Sequence, residues 1–178
     1  MHQDVERILI SEEEISSIVE RIALQIDNDF QGKDLLMVGL LKGSVCFMAD
    51  LMKKMKTDCK IDFVVASSYA NGTESTGTVN IVKDVSQSVE GKDILIVEDI
   101  IDSGNTLDFM VKYFRAKKAK SVKIATLLDK PDRRKVNITV DYVGKVIPDE
   151  FVVGYGLDYA ENYRTLPYVG ILKPSVYS

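Results

Sequence analysis

Residues 94–106, I-L-I-V-E-D-I-I-D-S-G-N-T, constrain this chain more than any other stretch. Ile94, Leu95, Ile96 and Val97 form a continuous, mostly β-branched apolar run, as expected of a strand buried on both faces. Two carboxylates, Glu98 and Asp99, follow at once. Asp102-Ser103-Gly104-Asn105-Thr106 then packs small hydroxyl, amide and glycine residues into a turn. Beyond it Leu107, Met110, Val111 and Phe114 recur at helical spacing, so the segment reads strand, turn, helix.

The chemistry of that turn narrows its ligand. A helix N-terminus preceded by a small-residue loop presents unpaired N–H groups and a positive dipole end, which together favour a phosphate. Glu98 and Asp99 favour something else: carboxylates repel phosphate, accept hydrogen bonds from sugar hydroxyls, and ligate Mg²⁺, which often bridges carboxylate to phosphate. A phosphorylated ribose satisfies both halves within one turn.

The nine residues E-D-I-I-D-S-G-N-T (98–106) resemble the phosphoribosyl diphosphate (PRPP) motif of the purine phosphoribosyltransferases, and the whole chain resembles the bacterial hypoxanthine-guanine members of that family. The likeness includes L-K-G at 41–43, S-S-Y at 67–69, L-L-D-K-P at 127–131 and P-D-E-F-V-V-G-Y-G-L-D-Y at 148–159, in one order and spacing. The resemblance implies the type I phosphoribosyltransferase fold: an α/β core with a mainly parallel sheet flanked by helices, over about residues 11–150, and a small hood built from residues 1–10 and 151–178. It also implies transfer of the 5-phosphoribosyl group from PRPP to hypoxanthine or guanine with Mg²⁺, and assembly as a dimer or tetramer.

Composition agrees with one globular domain. The 178 residues are 46% apolar and 28% charged, enough for a sizeable core. The net charge is −4 with no basic block, which argues against a nucleic-acid surface. No apolar run approaches a bilayer span, and Asp4, Glu6 and Arg7 interrupt the first ten residues, so neither signal peptide nor anchor is expected. Cys46 and Cys59 form no Cys-x-x-Cys pair and are expected reduced, in keeping with a cytoplasmic protein. The single histidine, His2, is expected to be mobile near the chain start. Triads, Cys-His pairs and His-rich metal sites therefore lack their central residue, and catalysis falls to carboxylates, Lys, Arg, hydroxyls and a hard metal.

Along the chain, Ser11 and Glu14 form a capping box before the stripe Ile15, Ile18, Val19, Ile22, Ala23, Ile26 and Phe30. The acidic residues Glu12 to Glu14 complement that helix's dipole and need no other role. Residues 34–40 read as a second buried strand, followed by Leu41-Lys42-Gly43-Ser44 and a helix with Val45, Met48, Met52 and Met55 on one side, the methionines in the core. Parallel strands place their C-terminal ends together, so this turn faces the same edge as residues 98–106. Lys42, between a strand end and a glycine, is a candidate ligand contact rather than an ordinary solvated lysine. Residues 61–66 read as a third strand and 79–82 as a returning hairpin arm. The intervening loop of about twelve Ser-, Thr-, Gly- and Asn-rich residues is unusual in a compact domain and suits a lid. Residues 121–128 read as a further strand, and the charged run 129–135 as a solvated loop except for Lys130 at the strand's end. Neither common nucleotide fingerprint, G-x-x-x-x-G-K-[ST] or G-x-G-x-x-G, is present.

The family's roles carry over residue by residue. Glu98, Asp99, Asp102, Ser103, Gly104, Asn105 and Thr106 would hold PRPP and its 5′-phosphate, Glu98 and Asp99 on the metal side. Asp102 would take the proton from the purine's N7. Lys42, Gly43 and Arg164 would contact pyrophosphate, and Ser68 and Tyr69 would belong to the lid. Lys130 would donate to the purine's exocyclic oxygen, selecting 6-oxopurines over 6-aminopurines. Phe151 would stack on the base, Val152 would read it through the main chain, and Asp158, counted with these purine-binding residues, would also bind a second Mg²⁺. Asn105 departs from relatives that carry lysine there, so the 5′-phosphate must rely on N–H groups and the Ser103 and Thr106 hydroxyls. Two rival readings are a PRPP sensor that binds nucleic acid, which the acidic composition disfavours, and the same reaction on another base. Lys130 conflicts with adenine but not with xanthine.

Overall fold

The structure is a computed structural model that describes residues 1–68 and 79–177. The chain enters on strand β1 (Val5–Ile10) and passes at once into helix α1 (Glu12–Phe30). The capping box is formed: Ser11 Oγ accepts from the Glu14 N–H at 3.2 Å, and the Glu14 carboxylate accepts from the Ser11 N–H at 2.9 Å. Two of the donors that a helix start leaves unpaired are thereby satisfied. Ile15, Val19, Ile22, Ala23, Ile26 and Phe30 are buried, as their spacing predicts.

There follow β2 (Leu35–Leu40), α2 (Val45–Lys54), β3 (Lys60–Ser68), β4 (Val79–Lys83), β5 (Asp93–Ile101), α3 (Asn105–Ala116), β6 (Ser121–Asp129) and β7 (Tyr142–Val146). The chain closes with β8 (Val152–Val153), β9 (Val169–Leu172) and a short α4 (Pro174–Tyr177). Among the described residues the main sheet has the order β4-β3-β2-β5-β6-β7. All its pairings are parallel except the β3–β4 hairpin. The α/β class and the mainly parallel sheet are thus as the sequence predicts.

Alternate residues of the central strands supply two cores. Leu35, Met37, Leu95, Val97, Ala125 and Leu127 pack under α1 and α2. Leu36, Val38, Ile94, Ile96 and Ile124 pack against Leu107, Met110 and Phe114 of α3 on the other face. Helices on both faces explain why these strands read as unbroken apolar runs. A second sheet, β1-β9-β8, is antiparallel and joins the start of the chain to its last quarter.

Several details differ from expectation. In α2 the buried face is Phe47, Met48 and Leu51, whereas Val45 and Met52 are exposed. Two stripes compete on this helix, and the one with Phe and Leu buries more apolar area. Met48 seats against Gly39, where a Cβ would lie only 2.5 Å from its sulfur. Strand β5 runs to Ile101, so Glu98 and Asp99 lie within it, Glu98 paired in register with Thr126 of β6. Strand β7 carries Gly144 and Lys145 on a sheet edge and has no alternation to announce it. His2 is docked rather than mobile: its N–H donates to the Tyr168 hydroxyl at 2.8 Å, and its ring lies edge-on to Tyr163.

Candidate active site

Strand β3 lies on one side of β2, while β6 and β7 build outward from β5 on the other, so the winding reverses between β2 and β5. Such a reversal opens a crevice beyond the C-terminal ends of the two strands, the usual ligand position in an open α/β sheet. Strand β2 delivers Leu41, Lys42 and Gly43 there, and β5 delivers Glu98, Asp99 and the turn 102–104.

Strand β2 pairs with β5 only as far as Gly39 opposite Val97, whereas β5 and β6 remain paired to Ile101. Glu98 and Asp99 therefore stay in regular strand structure while the β2 side falls away. The loop after β2, with a cis Leu41–Lys42 peptide, crosses that gap. It passes so close that a Cβ on Gly43 would lie 1.7 Å from Asp99 Oδ2. Gly156 presses on the other side of Gly43 at φ +100°, where its own Cβ would lie 2.1 Å from the Gly43 carbonyl oxygen. Two glycines thus allow three segments to stack at the crevice.

Glu98 and Asp99 are half-buried, and the Asp99 N–H donates to Glu98 Oε1 at 3.2 Å. Burial, reinforced by the adjacent Asp99 charge, pushes the Glu98 carboxyl well above the usual range. Burial also raises Asp99, against the hydrogen bonds it accepts and the nearby Arg164 charge. Two carboxyls held in this way share a deficit of positive charge that a cation relieves. No group of three or more Asp, Glu, Cys or His side chains could hold a metal among the described residues. A pair of carboxylates nevertheless suits Mg²⁺, which keeps waters and takes its remaining ligands from a phosphorylated substrate.

The turn after β5 forms the other half. Gly104 adopts φ +82° and α3 starts at Asn105, the Asp108 N–H closing the first helical bond to Gly104 O at 2.9 Å. Glu98, Asp102, Ser103, Gly104, Thr106 and Leu107 line a cavity of about 120 Å³ at the helix N-terminus. A larger cavity of about 510 Å³ lies between α1 and α2, and none of the predicted site residues lines it. The smaller one is where the chemistry converges.

The charged run after β6 is more than a solvated loop. Arg133 Nε lies 2.8 Å from Asp102 Oδ1, and Arg134 Nε donates to the Asp102 carbonyl at 3.2 Å. Arg134 also pairs with Asp129, and the Lys135 N–H donates to Ser103 O at 2.9 Å. These residues clamp the 102–104 turn from outside. The spacing of the run held no sign of this, because its partners lie some thirty residues earlier.

Lys130 is 7% exposed, and its ammonium donates to the Glu150 carbonyl at 2.6 Å with Asp149 at 3.6 Å. An ammonium has three donors, so capacity for a ligand oxygen remains. Phe151 is partly exposed beside it, stacked on Tyr177 with centroids 4.8 Å apart and meeting Tyr159 edge-on. The Phe151 carbonyl accepts from Leu172 at 2.9 Å. Strand alternation then turns the Val152 N–H and C=O away from β9, toward the free edge of β8. Tyr177, in the last turn of the described chain, carried no sequence signal for this aromatic contact.

Arg164 is folded back into the loop that precedes it, donating to Gly156 O at 2.7 Å and pairing with Asp158 at 2.9 Å. Its Nε is buried without a partner among the described residues. Lys42 Nζ pairs with Glu161 at 2.7 Å. The structure thus brings Lys42, Gly43, Glu98, Asp99, the 102–106 turn, Asp158 and Arg164 to one crevice, with Lys130 at the end of β6 facing Phe151 and Val152 of the hood. Tyr69 and the side chain of Ser68 lie outside the described residues.

A small cavity on a helix N-terminus, a carboxylate pair beside it and cations across the crevice have the chemistry that suits a phosphorylated, hydroxylated ligand. Residues 7–160 match the family model of the phosphoribosyl transferase domain, and the chain belongs to that family. Over its full 178 residues it is 54% identical to the hypoxanthine-guanine phosphoribosyltransferase of Staphylococcus aureus (strain Mu50), covering 100% of this chain and 99% of the relative. It is likewise 54% identical to the bifunctional protein TilS/HprT of Listeria monocytogenes serotype 4b (strain F2365), of which it spans only 28%. A crystal structure of a hypoxanthine phosphoribosyltransferase from S. aureus superposes with a TM-score of 0.97 at 54% identity, covering 100% of this chain and 97% of that chain.

Proposed function

We propose that this chain transfers the 5-phosphoribosyl group of PRPP to hypoxanthine or guanine, yielding the nucleotide and pyrophosphate, as a purine-salvage enzyme of the cytoplasm. The observation that carries the reading is the convergence, at one switch point of the sheet, of a carboxylate pair, a helix-terminal phosphate cavity and a hood with a buried ammonium beside an aromatic ring.

Each part has a task. N–H groups of the 103–106 turn and the Ser103 and Thr106 hydroxyls hold the 5′-phosphate. Glu98 and Asp99 accept from the ribose hydroxyls and would hold one Mg²⁺, and Asp158 would hold a second; a metal bound there would supply charge neutralisation for the diphosphate. Lys42 and Arg164 stabilise the same leaving group as the anomeric bond breaks and the sugar takes on oxocarbenium character. Lys130 donates to the 6-oxo group, Phe151 offers its ring face and Val152 its outward main-chain groups. Asp102 receives the N7 proton. Its contact with Arg133 engages Oδ1, and the other carboxylate oxygen is the one that would take the proton.

Pyrophosphate release from PRPP and Mg²⁺, followed separately with hypoxanthine, guanine, xanthine and adenine, tests the reading. Release with hypoxanthine or guanine that EDTA abolishes supports it. No release with any base while calorimetry still registers PRPP binding refutes it in favour of a sensor. Assembly as a dimer or tetramer is checked by light scattering.

A further inference from the structure

The two cations assigned to the leaving group already share an anion. Glu161 reaches Lys42 Nζ with Oε2 at 2.7 Å and Arg164 Nη2 with Oε1 at 3.1 Å, so one carboxylate bridges the loop after β2 and the C-terminal segment. The backbone aims it. Ala160, Glu161 and Tyr163 adopt left-handed φ values of 48°, 66° and 74°, uncommon for residues with a Cβ. The Glu161 N–H donates to Asp158 Oδ2 at 2.9 Å, and Tyr159 and Asn162 exchange main-chain hydrogen bonds across the turn. Yet the carboxylate stands largely in water: the Glu161 and Lys42 side chains are 65% and 67% exposed. An exposed ion pair is weak and screened by salt, and either partner can swing into solvent without a desolvation cost.

We propose that Glu161 is a built-in competitor for pyrophosphate: its carboxylate neutralises Lys42 and Arg164 in the empty crevice, is displaced when a diphosphate enters, and returns as pyrophosphate leaves. The proposal rests on Lys42 and Arg164 being the pyrophosphate-binding cations. A diphosphate carries more charge than one carboxylate and also shares the metal, so it wins the cations when it arrives. Pyrophosphate severed from the ribose has lost its anchorage at the phosphate turn, and the waiting carboxylate weakens its hold on the product. Glu161 therefore sets product affinity without touching the reacting atoms.

The test is calorimetric titration of the full chain with sodium pyrophosphate at fixed Mg²⁺, on wild type, Glu161→Gln, Glu161→Ala, Lys42→Gln and the double variant Lys42→Gln/Glu161→Gln. Thermal melts confirm that each is folded. Removing the exposed competitor is expected to tighten pyrophosphate by about two- to fivefold at low salt. The gain should shrink toward none at high ionic strength, where the pair is screened, and should be smaller in the Lys42→Gln background, where only Arg164 remains to be released. A merely structural role, holding Arg164 in place, moves affinity the other way. Unchanged or weaker binding in both Glu161 variants, with Lys42→Gln itself weakening pyrophosphate, overturns the competitor role and leaves the subsite standing. Unchanged binding in Lys42→Gln overturns the subsite assignment, and the proposal with it.

Discussion

Replacing Gly43 by alanine tests whether the carboxylate pair is held by packing across the crevice. The new Cβ would stand 1.7 Å from Asp99 Oδ2 and 2.6 Å from its Cγ, far inside contact distance. Retreat of the loop is opposed by the Gly156 backbone, which lies so close that a Cβ there would stand 2.1 Å from the Gly43 carbonyl oxygen. Asp99 must therefore swing, giving up the hydrogen bond its Oδ1 accepts from the Ile100 N–H at 2.8 Å. Overpacking of this kind costs about 1–3 kcal/mol. For a chain of this size that is a fall in Tm of about 3–10 °C, measured by calorimetry or fluorescence melting. Displacing one member of the pair should also weaken PRPP in the presence of Mg²⁺ by about tenfold or more, since a misplacement near 1 Å costs about a hundredfold in catalysis. Two comparisons make the reasoning refutable. Gly32→Ala, at φ +74° with nothing within 4 Å, reports left-handed strain alone and should leave PRPP binding intact. In an Asp99→Ala background, adding Gly43→Ala should cost almost nothing, so the two substitutions are strongly non-additive. Additive losses, or a Gly43→Ala protein that melts within 1 °C of wild type and binds PRPP normally, would show that the contact does not hold Asp99 in place.

Asp102→Asn should lower kcat by about two to four orders of magnitude while PRPP binding changes little; equal losses in both remove Asp102 from the base role. Lys130→Met should reduce kcat/KM for hypoxanthine by about ten- to a hundredfold and narrow the discrimination against adenine, read by competing the two bases; an unchanged ratio argues that another group reads the 6-position. Asp62, outside the site, accepts from the Ser86 N–H and hydroxyl at 2.7 and 2.8 Å, from the Phe63 N–H at 2.7 Å and from Lys83 at 3.2 Å. Burial raises its carboxyl, but these bonds outweigh burial and pull it down to about 2. Because the folded value lies below the unfolded one, the ionised group contributes about 2 kcal/mol that is present above about pH 4 and lost as pH falls through about 2. Urea melts of wild type and Asp62→Asn should therefore differ at pH 7 and converge toward pH 2, and a constant difference counts against the linkage.

Much of this protein is legible in its sequence. The Ser11–Glu14 box, the apolar runs of the central strands and the strand-turn-helix at residues 94–106 are local patterns whose outcome depends on neighbours within a turn or two of chain. The crossover of the active-site crevice was legible for a similar reason: parallel strands joined by helices must place their C-terminal ends together. The roles proposed for Lys130 and Phe151 come from family resemblance; position at a strand's end singles out Lys130, but spacing does not separate Phe151 from a core residue.

Other features required the assembled molecule. The buried face of α2 was a choice between two stripes, decided by the fit of Met48 over Gly39 and by what α1 and the sheet offered. The clamp of Arg133, Arg134 and Lys135 on the turn after β5 joins residues from the ends of adjacent strands, and no local pattern records that adjacency. Glu161, one of many exposed acids in the sequence, meets Lys42 only because the last quarter of the chain folds back over the crevice. The sequence by itself determined most of the helices and central strands and the direction of the sheet, because hydrophobic period, capping and turn chemistry act over short range. Tertiary structure alone decided which charges face one another, because Coulombic pairs form wherever the sheet order brings distant segments together, and that order follows from burying both faces of the sheet.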